Sequence, residues 1–98
     1  MLETFTIETF AGRVGRTFRV EPQPGESVEW ELISAEALGG AGAAGHRTPF
    51  SLVFRGPLTP VLPQAIYPMA EPDVGVFDIF VVPIGPDTAG MCYEAVFT

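Results

Sequence analysis

The sequence predicts a mainly β domain: a single small antiparallel β-barrel or sandwich of about six strands, with one short helical turn at the N-terminus. Three observations predict it. Apolar and polar residues alternate with period two through most of the chain, which places every second side chain on one face of a sheet. Gly and Pro number 11 and 10 in 98 residues and fall between those runs, where turns need them. Eight phenylalanines, two tyrosines and a tryptophan suit the buried face of a pleated surface. A chain of this length is one domain, 1–98, because two cores would each lie near the lower limit of self-stability.

The opening segment reads as a short helix. Thr6 stands at its N-cap, Ile7, Phe10 and Val14 stack on one side, and Gly15 ends it. A strand over Thr4 to Phe10 is the alternative, since Thr, Phe and Ile also favour sheets. The first strand runs from Arg16 to Glu21, with Phe18 and Val20 opposed to Thr17, Arg19 and Glu21. Pro22-Gln23-Pro24-Gly25 then turns the chain. Ser27 to Ser34 follows, with Val28, Trp30 and Leu32 on one face and glutamates on the other. Phe50, Leu52 and Phe54 alternate with Ser51, Val53 and Arg55 before Gly56-Pro57 ends the third strand.

Ala65 to Met69, held between Pro63 and Pro68, reads as an edge strand, because proline cannot donate to a ladder on both sides. Asp73-Val74-Gly75 is a tight reversal. Val76 to Val82 is apolar on both faces except for Asp78, the pattern of a strand covered on both sides. Gly85-Pro86-Asp87-Thr88 reads as a type I turn. The chain closes with Tyr93, Ala95 and Phe97 alternating with Cys92, Glu94 and Val96. Substituting Trp30 or Phe54 by Ala is expected to cost about 3–5 kcal/mol if these faces are assigned correctly.

Charge narrows the function. The net charge is −7 and the isoelectric point lies near 4.4. An acidic chain is a poor binder of nucleic acid or anionic lipid, because phosphate affinity rests on neutralisation by Lys and Arg. Every basic residue is an arginine, and Arg13, Arg16 and Arg19 fall close together. They form a candidate anion or carboxylate patch, or else a solvated strand face balancing Glu8, Glu21 and Glu26. No apolar run approaches the roughly eighteen residues of a spanning helix. Met1 to Phe5 has neither a basic nor an apolar leader, so the expectation is a chain made in the cytoplasm, with incorporation into an extracellular or tail-like assembly left open.

The chemical motifs are weak. Gly40-Ala41-Gly42-Ala43-Ala44-Gly45 matches G-x-G-x-x-G, but Pro49 opposes the helix that would hold a pyrophosphate, and no acidic residue lies between Glu36 and Glu71. An Ala/Gly loop joining two strands is the better reading. One cysteine and one histidine, Cys92 and His46, make neither a disulfide nor a usual structural zinc set. His46 borders the Ala/Gly loop, and Cys92 has no nearby base to activate it. Asp78 with Glu94 is the one carboxylate pair that acid–base chemistry would use. No catalytic residue, cofactor site or metal site is assigned.

The apolar surplus is more informative. Val76, Phe80 and Val82, with Leu62, Ile66, Tyr67 and Met69 from a proline-rich stretch, exceed what one small sheet face hides. They are the candidate partner-binding residues, since contiguous exposed apolar surface marks interaction sites. The competing reading makes Leu58 to Met69 a lid on the open end of a barrel.

Several segments carry a resemblance in combination. They are Phe10-Ala11-Gly12-Arg13-Val14-Gly15-Arg16-Thr17-Phe18, Pro49-Phe50-Ser51-Leu52-Val53-Phe54-Arg55-Gly56-Pro57, Leu62-Pro63-Gln64-Ala65-Ile66-Tyr67 and Phe80-Val81-Val82-Pro83-Ile84-Gly85-Pro86-Asp87, then Tyr93-Glu94-Ala95-Val96-Phe97. Over nearly its full length the chain resembles a family of small bacterial domains of unknown function, departing from it mainly at residues 39–45. The resemblance supplies no catalytic residues. It implies a gene neighbourhood of proteins resembling phage tail-collar or microcystin-dependent proteins, and so a role in assembling or capping a tail-like or fibrous structure. The leading expectation is therefore a non-catalytic structural or interaction module that docks a protein partner or self-assembles, without nucleic acid or membrane insertion. A small-molecule carrier barrel with Trp30 and Tyr67 lining a cavity is the alternative.

Overall fold

Alternation becomes a closed surface. The computed structural model describes residues 5–38 and 48–98. One short helix, α1 (Ile7–Ala11), precedes six strands: β1 (Thr17–Gln23), β2 (Glu26–Ala37), β3 (Phe50–Gly56), β4 (Ala65–Glu71), β5 (Gly75–Pro86) and β6 (Met91–Phe97). They close into an antiparallel barrel in the order β1-β2-β3-β6-β5-β4. The predicted class holds, and the choice between sandwich and barrel falls to a closed barrel.

Every strand turns its period-two apolar set inward. Phe18 and Val20, Trp30 and Leu32, Phe50, Leu52 and Phe54, and Tyr93, Ala95 and Phe97 are all buried. Aromatic rings fill the axis. Trp30 stacks on Tyr93 with ring centres 4.0 Å apart, made possible by Gly56, where any Cβ would strike the indole. Phe50 stacks on Phe97 at 4.6 Å. At the end where β3 begins, Phe10 of α1 enters the barrel and meets Phe18, Phe50, Phe77 and Phe97. The predicted helix therefore exists and acts as a plug. It ends at Ala11, before Val14, which faces solvent instead of joining Ile7 and Phe10.

The opposite end is closed by the segment between β3 and β4. Leu62 is buried there, and its N–H donates to the Tyr93 hydroxyl at 2.9 Å. The Tyr67 hydroxyl donates to the Pro63 carbonyl. The lid reading of this stretch is thus correct for its middle, while Leu58 and Val61 remain exposed.

Three expectations need correction. β4 is not an edge: it pairs with β5 from Ala65–Val81 to Glu71–Gly75, and with β1 at Arg19–Ala70 and Val20–Met69. The ladder to β5 runs unbroken through Pro68, whereas the ladder to β1 stops at Val20–Met69; Pro68 adjoins Met69 on β4, and Pro22, two residues past Val20 on β1, likewise has no N–H. Proline thus shortened a seam without removing it. The Val76–Val82 strand is not covered on both faces, because Phe77, Ile79 and Val81 point inward while Val76 and Phe80 face water. The last turn lies at Asp87–Gly90, not at Gly85–Thr88: β5 continues to Pro86, and the Asp87 N–H donates to the Gly90 carbonyl at 2.8 Å.

Candidate functional site

On the outside of the barrel, β4 and β5 present an apolar wall. Ile66 stands directly across from Phe80, Pro68 across from Asp78, and Ala70 across from Val76. All six are outward positions, because their neighbours Tyr67, Met69, Phe77 and Ile79 are the ones buried. Ile66 is 66% exposed, Val76 68% and Phe80 49%. Of the residues proposed from sequence to bind a partner, these three are available. Leu62, Tyr67 and Met69 are buried and belong to the core and lid, and Val82 is half-buried. Sequence reading pooled both faces of β4 because a short proline-flanked run did not reveal which face was inside.

The arginine group resolves differently. Glu71, at the end of β4, is only 3% exposed. Its Oε1 accepts the N–H groups of Asp73 and Val74, both at 2.8 Å, and its Oε2 accepts Arg16 Nη1 at 3.2 Å. Arg16 also donates to Asp73 at 2.7 Å, and Arg13 Nε approaches Glu71 Oε1 at 3.6 Å. Burial pushes the Glu71 carboxyl up, but the backbone donors of Val74 and Asp73 and then Arg16 outweigh it, holding the group below its ordinary range. Arg13 and Arg16 therefore have a carboxylate partner inside the chain, and it is neither Glu8, Glu21 nor Glu26. The cluster ties the α1–β1 connection to the β4–β5 turn, beside the short seam.

Arg19 is left apart. It stands between Ala70 on β4 and Glu29 on β2, beside a surface groove of about 520 Å³ that Thr17, Glu71 and Val76 also line. It makes no ion pair among the described residues. A second such pair at the lid end escaped sequence reading altogether: Arg55 Nε donates to Asp87 Oδ2 at 2.9 Å, and Asp87 also accepts the N–H groups of Ala89 and Gly90. Arg55 lowers the Asp87 carboxyl, helped by those backbone donors. The only signal for it was an aspartate in a predicted turn.

The chemical candidates do not converge. Asp78 and Glu94 share the outer surface, but Glu94 faces Val82, four residues from Asp78. At about 3.3 Å per residue that is about 13 Å along the sheet, beyond the roughly 5–10 Å that paired carboxylate chemistry uses. Glu94 accepts instead from the Ser51 hydroxyl at 2.8 Å. Cys92 is buried, and burial pushes its thiol up, away from the reactive thiolate. The Gly40–Gly45 motif and His46 lie outside the described residues. Among the described residues no cluster of His, Cys, Asp or Glu could hold a metal, and no helix is long and apolar enough to cross a membrane. Of the residues expected to line a carrier cavity, Trp30 is stacked on Tyr93 and Tyr67 is tied to the lid.

Fold and surface together define a class: a small, closed, aromatic-filled antiparallel barrel with an apolar stripe on one outer wall. Within that class the chain belongs to the family described as a domain of unknown function, DUF6916, whose model matches residues 5–97. No curated protein and no solved structure matches it.

Proposed function

We propose that this domain is a non-catalytic interaction module that docks a partner chain through the outer wall of β4 and β5. One observation carries the reading. Ile66 and Phe80 are a direct cross-strand pair, each about half or more exposed, outside an interior lined by buried aromatic rings. Large apolar groups side by side in water lose the hydrophobic stabilisation that a second surface would supply. The resemblance read from the sequence motifs adds the setting: the docking assembles or caps a tail-like or fibrous structure, and the partner is the tail-collar-like product of the adjacent gene.

The test is co-expression with that product, followed by size-exclusion chromatography with light scattering. The wild-type domain is expected to elute as a complex. The double variant Ile66→Ser/Phe80→Ser is expected to fold normally by circular dichroism and to lose the complex. A domain that ignores the adjacent product, or a double variant that binds it unchanged, overturns the reading.

A further inference from the structure

We infer that Asp78 selects the occupant of the apolar wall: a partner chain whose own apolar face carries an arginine or lysine, and not a second copy of this domain. The inference rests on the docking reading above and deepens it. Asp78 lies at the centre of the wall, between Val76 and Phe80 along β5 and across from Pro68 on β4. Any surface that covers Ile66, Phe80 and Val76 together also covers this carboxylate.

The carboxylate is exposed and makes no hydrogen bond or ion pair among the described residues. The described arginines are committed elsewhere, Arg13 and Arg16 to Glu71 and Asp73, and Arg55 to Asp87. Arg19 is two strands away, with Glu29 directly across from it on β2 and Glu21 two residues along β1. Covering Asp78 with a wholly apolar surface would strip its water without replacement, which an ionised carboxylate resists strongly. A cation in the partner supplies the missing hydrogen bonds, and guanidinium does so with two parallel donors.

A second copy fails the same requirement. Pairing two identical walls about a two-fold axis brings one Asp78 toward the other beneath an apolar cover, on chains that each carry −7. The carboxylate thus excludes self-pairing by the same charge that attracts a basic partner.

Two measurements test this. In sedimentation velocity at high protein concentration and moderate salt, the wild type is expected to stay monomeric while Asp78→Leu self-associates. A wild-type dimer broken by Ile66→Ser, or an Asp78→Leu variant as monomeric as wild type, overturns the exclusion of a second copy. In binding to the adjacent gene product, Asp78→Asn is expected to weaken affinity about tenfold and Asp78→Lys to abolish it, with Asp78→Glu retaining most of it. Affinity of the wild type should fall as salt rises, and that dependence should flatten in Asp78→Asn. Unchanged or tighter binding by Asp78→Asn overturns the inference while leaving the docking reading intact, provided Ile66→Ser/Phe80→Ser still abolishes the complex. If the double variant also binds unchanged, the docking reading itself falls.

Discussion

Two outer walls of this barrel obey the same alternation and end in opposite surfaces. On β1 and β2 the outward positions are Thr17, Arg19 and Glu21, opposed to Glu29 and Glu31. On β4 and β5 they are Ile66, Pro68 and Ala70, opposed to Val76, Asp78 and Phe80. Both walls cover an equally apolar interior, Phe18 and Trp30 behind the first, Tyr67, Met69 and Phe77 behind the second. The inward face is thus dictated by folding and is the same all round. The outward face is free to vary, and it is where the molecule differs from a generic barrel. A charged wall keeps such a domain dissolved and unpaired. The apolar wall is the one that needs a reason.

The sharpest way to separate the faces is to cut both on one strand. Phe77 and Phe80 are three residues apart on β5, one buried among Phe5 and Phe10, the other half in water. Phe77→Ala is expected to lose about 3–5 kcal/mol in urea unfolding, from lost burial and a cavity in the aromatic cluster. Phe80→Ala should stay within about 0.5 kcal/mol of wild type. Equal losses at the two positions would place Phe80 in the core and remove the wall as a free surface.

What was legible from sequence follows the same division. Strands with a polar outer face, such as Ser27–Ser34, announce which side is buried, because Glu29 and Glu31 mark the outside. The strand Val76–Val82 announced its existence but not its exposure. When both faces are apolar, periodicity cannot distinguish a strand covered twice from one that leaves a face open. The Leu58–Met69 stretch mixes lid, core and wall in a dozen residues, so its local pattern does not separate Leu62, Tyr67 and Met69 from Ile66. Barrel closure was illegible for another reason. The seam between β1 and β4 rests on two residue pairs joining positions some fifty apart, and no local pattern encodes such a contact. Glu71 was hidden in the same way, since its arginines come from the far end of the chain.

That cluster gives the next test, because it holds the charged and apolar walls together at the seam. Replacing Glu71 by Gln leaves the shape but removes the charge that Arg16 and two backbone N–H groups address. A loss of about 1–3 kcal/mol is expected at neutral pH, kept modest because the arginine is half in water. The sign with pH follows from the lowered carboxyl. Its stabilisation is full above the ordinary carboxylate range and drains away as pH falls through the depressed value in the folded state. Thermal midpoints from pH 7 down to pH 2 should therefore fall less steeply in Glu71→Gln than in wild type. Parallel curves would mean that the cluster contributes nothing to holding the seam.

The smallest effect is expected on the charged wall, and its smallness is the point. Arg19 and Glu29 are direct cross-strand neighbours, yet they form no ion pair, and both face open water. Exposed charges in this arrangement contribute little to stability. Arg19→Gln and Glu29→Gln, singly or together, should shift urea unfolding by no more than about 0.5 kcal/mol and leave the proposed partner complex intact. Arg19 belongs to the arginine group that the sequence offers as a candidate anion patch, and of the three it alone has no carboxylate partner among the described residues. A marked loss of binding in Arg19→Gln, with Ile66→Ser/Phe80→Ser unaffected, would move the docking surface to the groove between Arg19 and Val76. The charged wall would then be the working one.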